Sequence, residues 1–367
     1  MVDFGAVIGE SAKWTKQALF KPFSFKKWLA LTFIALMAGA MSNGCNLNSG
    51  GGGNGGHHYE SQQQQEEKAG ITEGGKAQTV PPITKQRPTR EDAILILTVI
   101  GSVIIFFVVI LILFTWLGSR FSFVFLEDVV KNDASIRAPF SGNREQGNSY
   151  FKFNLAFIFI LFAALGILIF LAVLTCVKAG ILSALNTQTP DPKAVMGLIL
   201  VLIPFFLVLM LFIFIVSLIS VITIDLVLPI MYKEKIKILA SWGKAWALVK
   251  KNAGNFAVYI LIKIGFGIGA GIVYFLAFII LFIIFLIPVA LLVFALWLIA
   301  KVIPAAAVIA YWAVCGVVLT PVCLFLLYCL IALNLPFAVF FRTYSLKFLE
   351  RLDPQYALIK TEKPVAA

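Results

Sequence analysis

Long stretches of this chain carry no Asp, Glu, Lys or Arg, and the short stretches between them collect the lysines and arginines. Nothing charged lies between Asp92 and Arg120, Lys152 and Lys178, Lys193 and Asp225, or Lys301 and Arg342. Hydrocarbon cannot hydrogen-bond a bare backbone, and about 20 apolar residues in a helix reach across the bilayer core, so each run reads as a membrane-crossing helix. The predicted fold class is all-α: a polytopic transmembrane bundle of about six helices, with interfacial amphipathic helices at the cytoplasmic face. The predicted crossings are residues 28–41, 93–117, 153–182, 195–232, 256–286 and 305–340. Between Pro288 and Pro304, residues 289–303 form a broken segment that either re-enters the membrane or spans it. If it spans, the count becomes seven and the C-terminus changes side.

Charge orients these helices. Lys13, Lys16, Lys21, Lys26 and Lys27 stand before the first run, and such density beside a membrane helix marks the cytoplasmic side. The loop with Arg120, Lys131, Arg137, Arg144 and Lys152 falls on that side, as does the stretch with Lys233, Lys235, Lys237, Lys244, Lys250 and Lys251. Arg342, Lys347, Arg351, Lys360 and Lys363 place the C-terminus there too. Asn186, Pro190, Asp191 and Pro192 form a short outer turn. The chain therefore divides into residues 1–42, a cytoplasmic segment with the first crossing; 43–91, a Gly- and Gln-rich outer insert expected to be disordered; 92–350, the bundle; and 351–367, a cytoplasmic tail.

Composition agrees with this class and narrows the partners. Hydrophobic residues make up 60% of the 367 and charged residues 13%, with mean hydropathy +0.96, outside the balance of a water-soluble domain. The net charge of +12 sits beside apolar runs, not on a compact domain with exposed aromatics, which argues for anionic lipid headgroups over nucleic acid. Cys176, Cys315, Cys323 and Cys329 lie inside apolar runs, so no disulfide framework is implied. Cys45 follows a basic stretch and a short apolar run, the layout of a lipoprotein signal. Ser42, Asn43 and Gly44 lack the pattern of such a site, and the first helix is read as retained.

The cytoplasmic segments share a pattern of basic and aromatic residues followed by two crossings, starting near Ser11, Ser119 and Lys233. Arg120 precedes Phe125-Leu126-Glu127 much as Arg342 precedes Phe348-Leu349-Glu350, by duplication or by convergent interface chemistry. Gly147-Asn148 and Gly254-Asn255 are read as turns with N-caps before two of the crossings. In the third segment Ile238, Leu239, Trp242, Ala245, Trp246 and Val249 share one helical face, and Lys237, Ser241, Lys244 and Lys251 the other, an interfacial amphipathic helix. Lys237, Trp242, Lys244 and Trp246, with Arg120 and Arg342, are the candidate interfacial lipid contacts. They form either a platform for lipid or an unidentified partner protein, or the belt anchoring common to membrane proteins, which is the plainer reading.

An ionisable group within a membrane helix costs roughly 2.5 to 3.5 kcal/mol at mid-bilayer, which singles out Asp225 and Lys263. Each lies about two turns, roughly 12 Å, from its cytoplasmic end and the two are expected to pair, a structural role being favoured over a relay. Pro229 is expected to kink the helix beyond Asp225 and free a carbonyl. Gly265, Gly267, Gly269 and Gly271 permit close helix contact and lack the strand-turn-helix setting of a nucleotide loop. His57 and His58 fall in the insert and are read as solvated. No catalytic motif is visible, so the chain is read as a non-enzyme without metal or cofactor.

Several of these stretches are similar to a family of uncharacterised bacterial polytopic membrane proteins: Trp116 to Arg120, Phe125 to Val130, Gly147 to Phe151, Asp225 with Pro229 to Tyr232, Ala245-Trp246, and Phe341 to Glu350. That family in turn resembles the membrane domain joined to some glycerophosphodiester phosphodiesterases. Nothing resembling the soluble barrel follows residue 350, so phosphodiesterase activity is not carried over. The resemblance implies an inner-membrane topology without a mechanism. The residues themselves lead to two expected functions: a lipid- or partner-binding membrane protein, or a small transporter or channel with its pathway near Asp225 and Lys263.

Overall fold

A computed structural model describes residues 2–40, 90–178, 192–302, 304 and 307–359. Cys45, His57, His58, almost all of the expected outer insert, most of the expected outer turn and the last eight positions, 360–367, lie outside the described residues. Among those described, every regular element is a helix. In chain order these are α1 (Phe4–Phe20), α2 (Phe25–Met37), α3 (Arg90–Lys131), α4 (Arg137–Gly142), α5 (Arg144–Lys178) and α6 (Pro192–Ile222). A π-turn (Thr223–Val227) then leads into α7 (Leu228–Glu234), followed by α8 (Ile238–Lys251), α9 (Ala253–Ala300), α10 (Val308–Ala332), α11 (Leu335–Leu352) and a 3-10 turn (Pro354–Tyr356).

Two units are distinct, Gly50–Leu111 and the remainder, Met1–Ser49 with Ile112–Ala367. The described part of the first is the beginning of α3, where Ile94, Leu95 and the apolar side chains from Leu97 to Val109 are exposed. In the second, the buried side chains gather at one end of the long helices. α1 buries Val7, Ser11, Thr15, Ala18 and Leu19, a stripe at helical period. It starts on an Asp3 cap that accepts from the Ala6 N–H at 3.0 Å. Against it lies α11, buried almost all round from Ala338 to Leu349. Two of its hydroxyls are satisfied within the helix, Thr343 donating to the Val339 carbonyl at 2.8 Å and Ser345 to that of Arg342 at 2.9 Å. Phe121 to Val129 of α3, Ile222 to Met231 and the buried face of α8 complete this base.

The apolar remainders of the helices are treated differently. Five helices are long and apolar enough to cross a membrane: Leu97–Lys131, Arg144–Lys178, Val195–Glu234, Ala253–Ala300 and Val308–Leu352. In four of them the most apolar 18 residues contain no buried position, and in the fifth 6%. Each large apolar side chain taken out of water is worth about 1.5 to 3 kcal/mol, so surface of this extent is matched to lipid.

Several expectations need correction. Pro288 does not break the helix: α9 runs unbroken through it to Ala300, so residues 289–300 prolong the same helix and do not form a separate segment. The missing N–H of Pro288 leaves a single carbonyl to satisfy, a defect that long membrane helices tolerate. The first predicted crossing is observed as α2, with 13 residues and a rise of about 20 Å, short of the roughly 30 Å hydrocarbon core. Gly147-Asn148 and Gly254-Asn255 do not precede their helices but lie within the first turns of α5 and α9.

Candidate functional site

Pro229 sets the local geometry. In a helix its ring nitrogen has no hydrogen to offer, and the chain accommodates it by a π-turn over Thr223–Val227, whose i to i+5 pattern is seen in the Leu228 N–H bonding to the Thr223 carbonyl. The same pattern would pair the Ile224 carbonyl with the nitrogen of Pro229, which cannot donate. Arg342 from α11 supplies the missing donor, its Nη1 reaching the Ile224 oxygen at 2.6 Å.

The π-turn also presents Asp225, which is 3% exposed. Its Oδ2 accepts from the Lys263 ammonium and from the Tyr259 hydroxyl at 2.8 Å. Tyr259 and Lys263 are one turn apart on α9 and so reach the same carboxylate. The Tyr259 ring is fixed between rings of α11, its centroid 4.1 Å from that of Phe348 and 5.0 Å from that of Tyr344. The two intramembrane charges singled out by sequence are thus brought together, with a third member that sequence reasoning missed. The signal available was the four-residue spacing from Tyr259 to Lys263.

Beside this group is a cavity of about 240 Å³ lined by Asp225, Lys263, Arg342, Tyr150, Ser122 and Ser220, with Ala38 to Ala40, Phe125, Leu228, Ala338 and Phe341 as its apolar wall. Phe341 separates it from a larger, almost wholly apolar groove of about 1150 Å³ along α1, α9 and α11.

The candidate lipid contacts fall into different places. Arg342 is not at the surface but buried, 6% exposed, and its Nε has no partner. Arg120 is half-buried, donating through Nη2 to Asn148 Oδ1 at 3.0 Å and lying 4.6 Å from the Trp116 ring centre. Lys237, Lys244 and Trp246 are exposed, and Trp242 is partly buried against Phe153. Lys244 pairs with Glu234, and Lys250 lies 5.6 Å from the Trp246 ring centre.

Two more polar clusters, unseen in the sequence, stitch the base together. Glu127 accepts from Lys131 at 2.6 Å and from Asn143 Nδ2 at 2.7 Å, and Lys235 donates to Asn143 Oδ1 at 2.7 Å. Partial burial lowers the Lys235 pKa, with Glu127 opposing. Lys347, 1% exposed, lies between Glu350 at 3.0 Å and Glu10 at 3.4 Å. Among the described residues no group of three His, Cys, Asp or Glu side chains is placed to hold a metal ion.

The model of a family of unknown function (DUF7544) matches residues 6–359, nearly the whole chain. The chain belongs to that family. No curated protein and no solved structure matches. For this DUF7544 member the match defines the extent of the conserved unit, which takes in the base, the π-turn and all five long apolar helices. It carries no activity, and it neither links the chain to glycerophosphodiester phosphodiesterases nor points to a bacterial origin.

Proposed function

We propose that the chain is a non-enzymatic, multi-pass inner-membrane protein that crosses six times and keeps its packed base at the headgroup level of the cytoplasmic face, where it engages anionic lipid. The observation that carries this reading is the segregation of surfaces. Buried packing and basic side chains gather in one end of the long helices, and the rest of those helices is apolar and exposed. A polar, aromatic, basic end belongs in the interface, and cytoplasmic orientation follows from the lysine and arginine count. The exposed Lys237, Trp246, Lys250 and Lys251 on and beside α8 are the surface contacts in this reading.

Purification in a mild non-ionic detergent tests this. Copurified lipid is expected to be enriched in anionic species over the source membrane, with the enrichment reduced when Lys237, Lys250 and Lys251 are changed together to Gln. A lipid profile equal to the bulk membrane in both proteins overturns it.

One observation favours a second reading, transport: a polar cavity reaches Asp225. Solute uptake into proteoliposomes that is lost in Asp225→Asn but kept in the lysine variant would replace the first reading with this one.

A further inference from the structure

We infer that the cavity beside Asp225 is a binding site for one singly charged oxyanion, the phosphodiester of an anionic lipid, held by Arg342; the inference rests on the reading that the base lies at headgroup level. The argument is one of charge balance. Lys263 and Asp225 neutralise each other, and the Tyr259 hydroxyl is spent on the same carboxylate oxygen. What remains is Arg342. It is more than nine-tenths buried, and among the described residues no carboxylate lies within ion-pair distance of it. Its Nη1 donates to the Ile224 carbonyl, and among the described residues its buried Nε has no acceptor.

The carboxylate near this buried guanidinium, Asp225, is already taken by Lys263 and Tyr259, which leaves the guanidinium's charge calling for a counter-ion, and a guanidinium matches an oxyanion with paired N–H donors. The space for it exists on the same side chain. Arg342 lines a cavity of about 240 Å³, far larger than the roughly 30 Å³ share of one water. Ser122, Ser220 and Tyr150 add hydroxyls to its wall, and Phe125, Leu228, Ala338 and Phe341 add apolar surface. With Asp225 and Lys263 balanced, a group of charge −1 completes the site, whereas a dianion leaves one charge unmatched. The apolar wall favours an anion carried on a lipid over a free one.

The test uses the full chain in dodecyl maltoside, which brings no phosphate of its own, with thermal unfolding followed as phosphatidylglycerol, phosphatidylcholine or inorganic phosphate is added. Phosphatidylglycerol is expected to raise Tm saturably and phosphatidylcholine to do so less. Arg342→Gln is expected to bind at least about tenfold more weakly. Ser220→Leu, which fills the cavity and leaves Arg342 in place, is expected to lose the response as well, and it decides the matter if Arg342→Gln does not fold. The Lys237, Lys250 and Lys251 triple Gln variant is expected to keep it. Stabilisation by inorganic phosphate alone, lost in Ser220→Leu, retains the oxyanion site and assigns it to a free anion. A response unchanged in Arg342→Gln and Ser220→Leu but lost in the lysine variant overturns the cavity site while leaving surface engagement of lipid intact. No saturable response to any of the three overturns the site outright.

Discussion

At Asp225 a single carboxylate oxygen serves two donors from one helix face, Lys263 and Tyr259. Removing one charge of a buried pair strands the other at a cost of about 3 to 5 kcal/mol, so Asp225→Asn and Lys263→Met are each expected to destabilise strongly, and the double variant by clearly less than their sum. Denaturant unfolding of the four proteins in detergent measures this, and simple additivity would mean that the pair contributes no coupling. Glycines give a second contrast at this scale. Gly147 and Gly254 are each followed by Asn and look alike in sequence, but a Cβ at Gly147 would stand 2.9 Å from Arg120 Cγ while one at Gly254 meets nothing within 4 Å. Gly147→Ala is therefore expected to cost about 1 to 3 kcal/mol. Gly254→Ala is expected to be neutral or to stabilise by up to about 1 kcal/mol through helix propensity. The charges were legible in the sequence because an ion in an apolar run is conspicuous. The space around a glycine was not, because it is made by Arg120, which belongs to another helix.

At the scale of the element, α8 shows how far periodicity reaches. The sequence gives a helix with an apolar face, and α8 spans Ile238–Lys251, but the buried positions are Ile238, Ser241, Ala245 and Val249, with Leu239 and Trp246 exposed. The packed face is rotated from the expected one, and Ser241 can enter the base because its hydroxyl donates to the Lys237 carbonyl of its own helix at 3.3 Å. Spacing fixes the period, and only the neighbouring elements fix which part of a broad apolar face turns inward. Leu239→Gln and Trp246→Gln should accordingly change stability by no more than about 0.5 kcal/mol, whereas Ala245→Leu should cost about 1 to 3 kcal/mol by overpacking. The same thermal scans in detergent distinguish the two sets, and equal losses at Trp246 and Ala245 would place both in the core. The π-turn follows the same logic. Pro229 announces a carbonyl without a donor, but the group that answers it, Arg342, lies 118 residues beyond Ile224, which carries that carbonyl, out of reach of any local pattern.

At the scale of the molecule, the packing of α1 on α11 constrains the topology. The Phe4 and Phe348 rings stack at 6.1 Å and Arg351 pairs with Glu10 at 2.6 Å, so the two helices pack as neighbours, and the proposed topology puts both on one side of the membrane. Among the described residues five helices are long and apolar enough to cross. Five is odd, and a chain whose first and last helices share a side must cross an even number of times. The expectation is therefore a sixth crossing on the N-terminal side of α3, a segment that α2 begins but, at 13 residues, is too short to complete. Charge then sets the absolute direction. In the proposed topology the lysines around α1 and α8 face the cytoplasm, and Lys301, whose ammonium lies 3.9 Å from the Trp297 ring centre, stands at the opposite interface at the end of the apolar run of α9. Topology reporters fused at the N-terminus and at Ala367 should both read cytoplasmic. In a background cleared of native cysteines, Lys301→Cys should react with a membrane-impermeant maleimide added from outside, and Lys237→Cys only after the membrane is permeabilised. Reporters on opposite sides would leave five or seven crossings and require α1 and α11 to separate in the membrane, so the ring stack and the ion pair that join them stand or fall with that measurement.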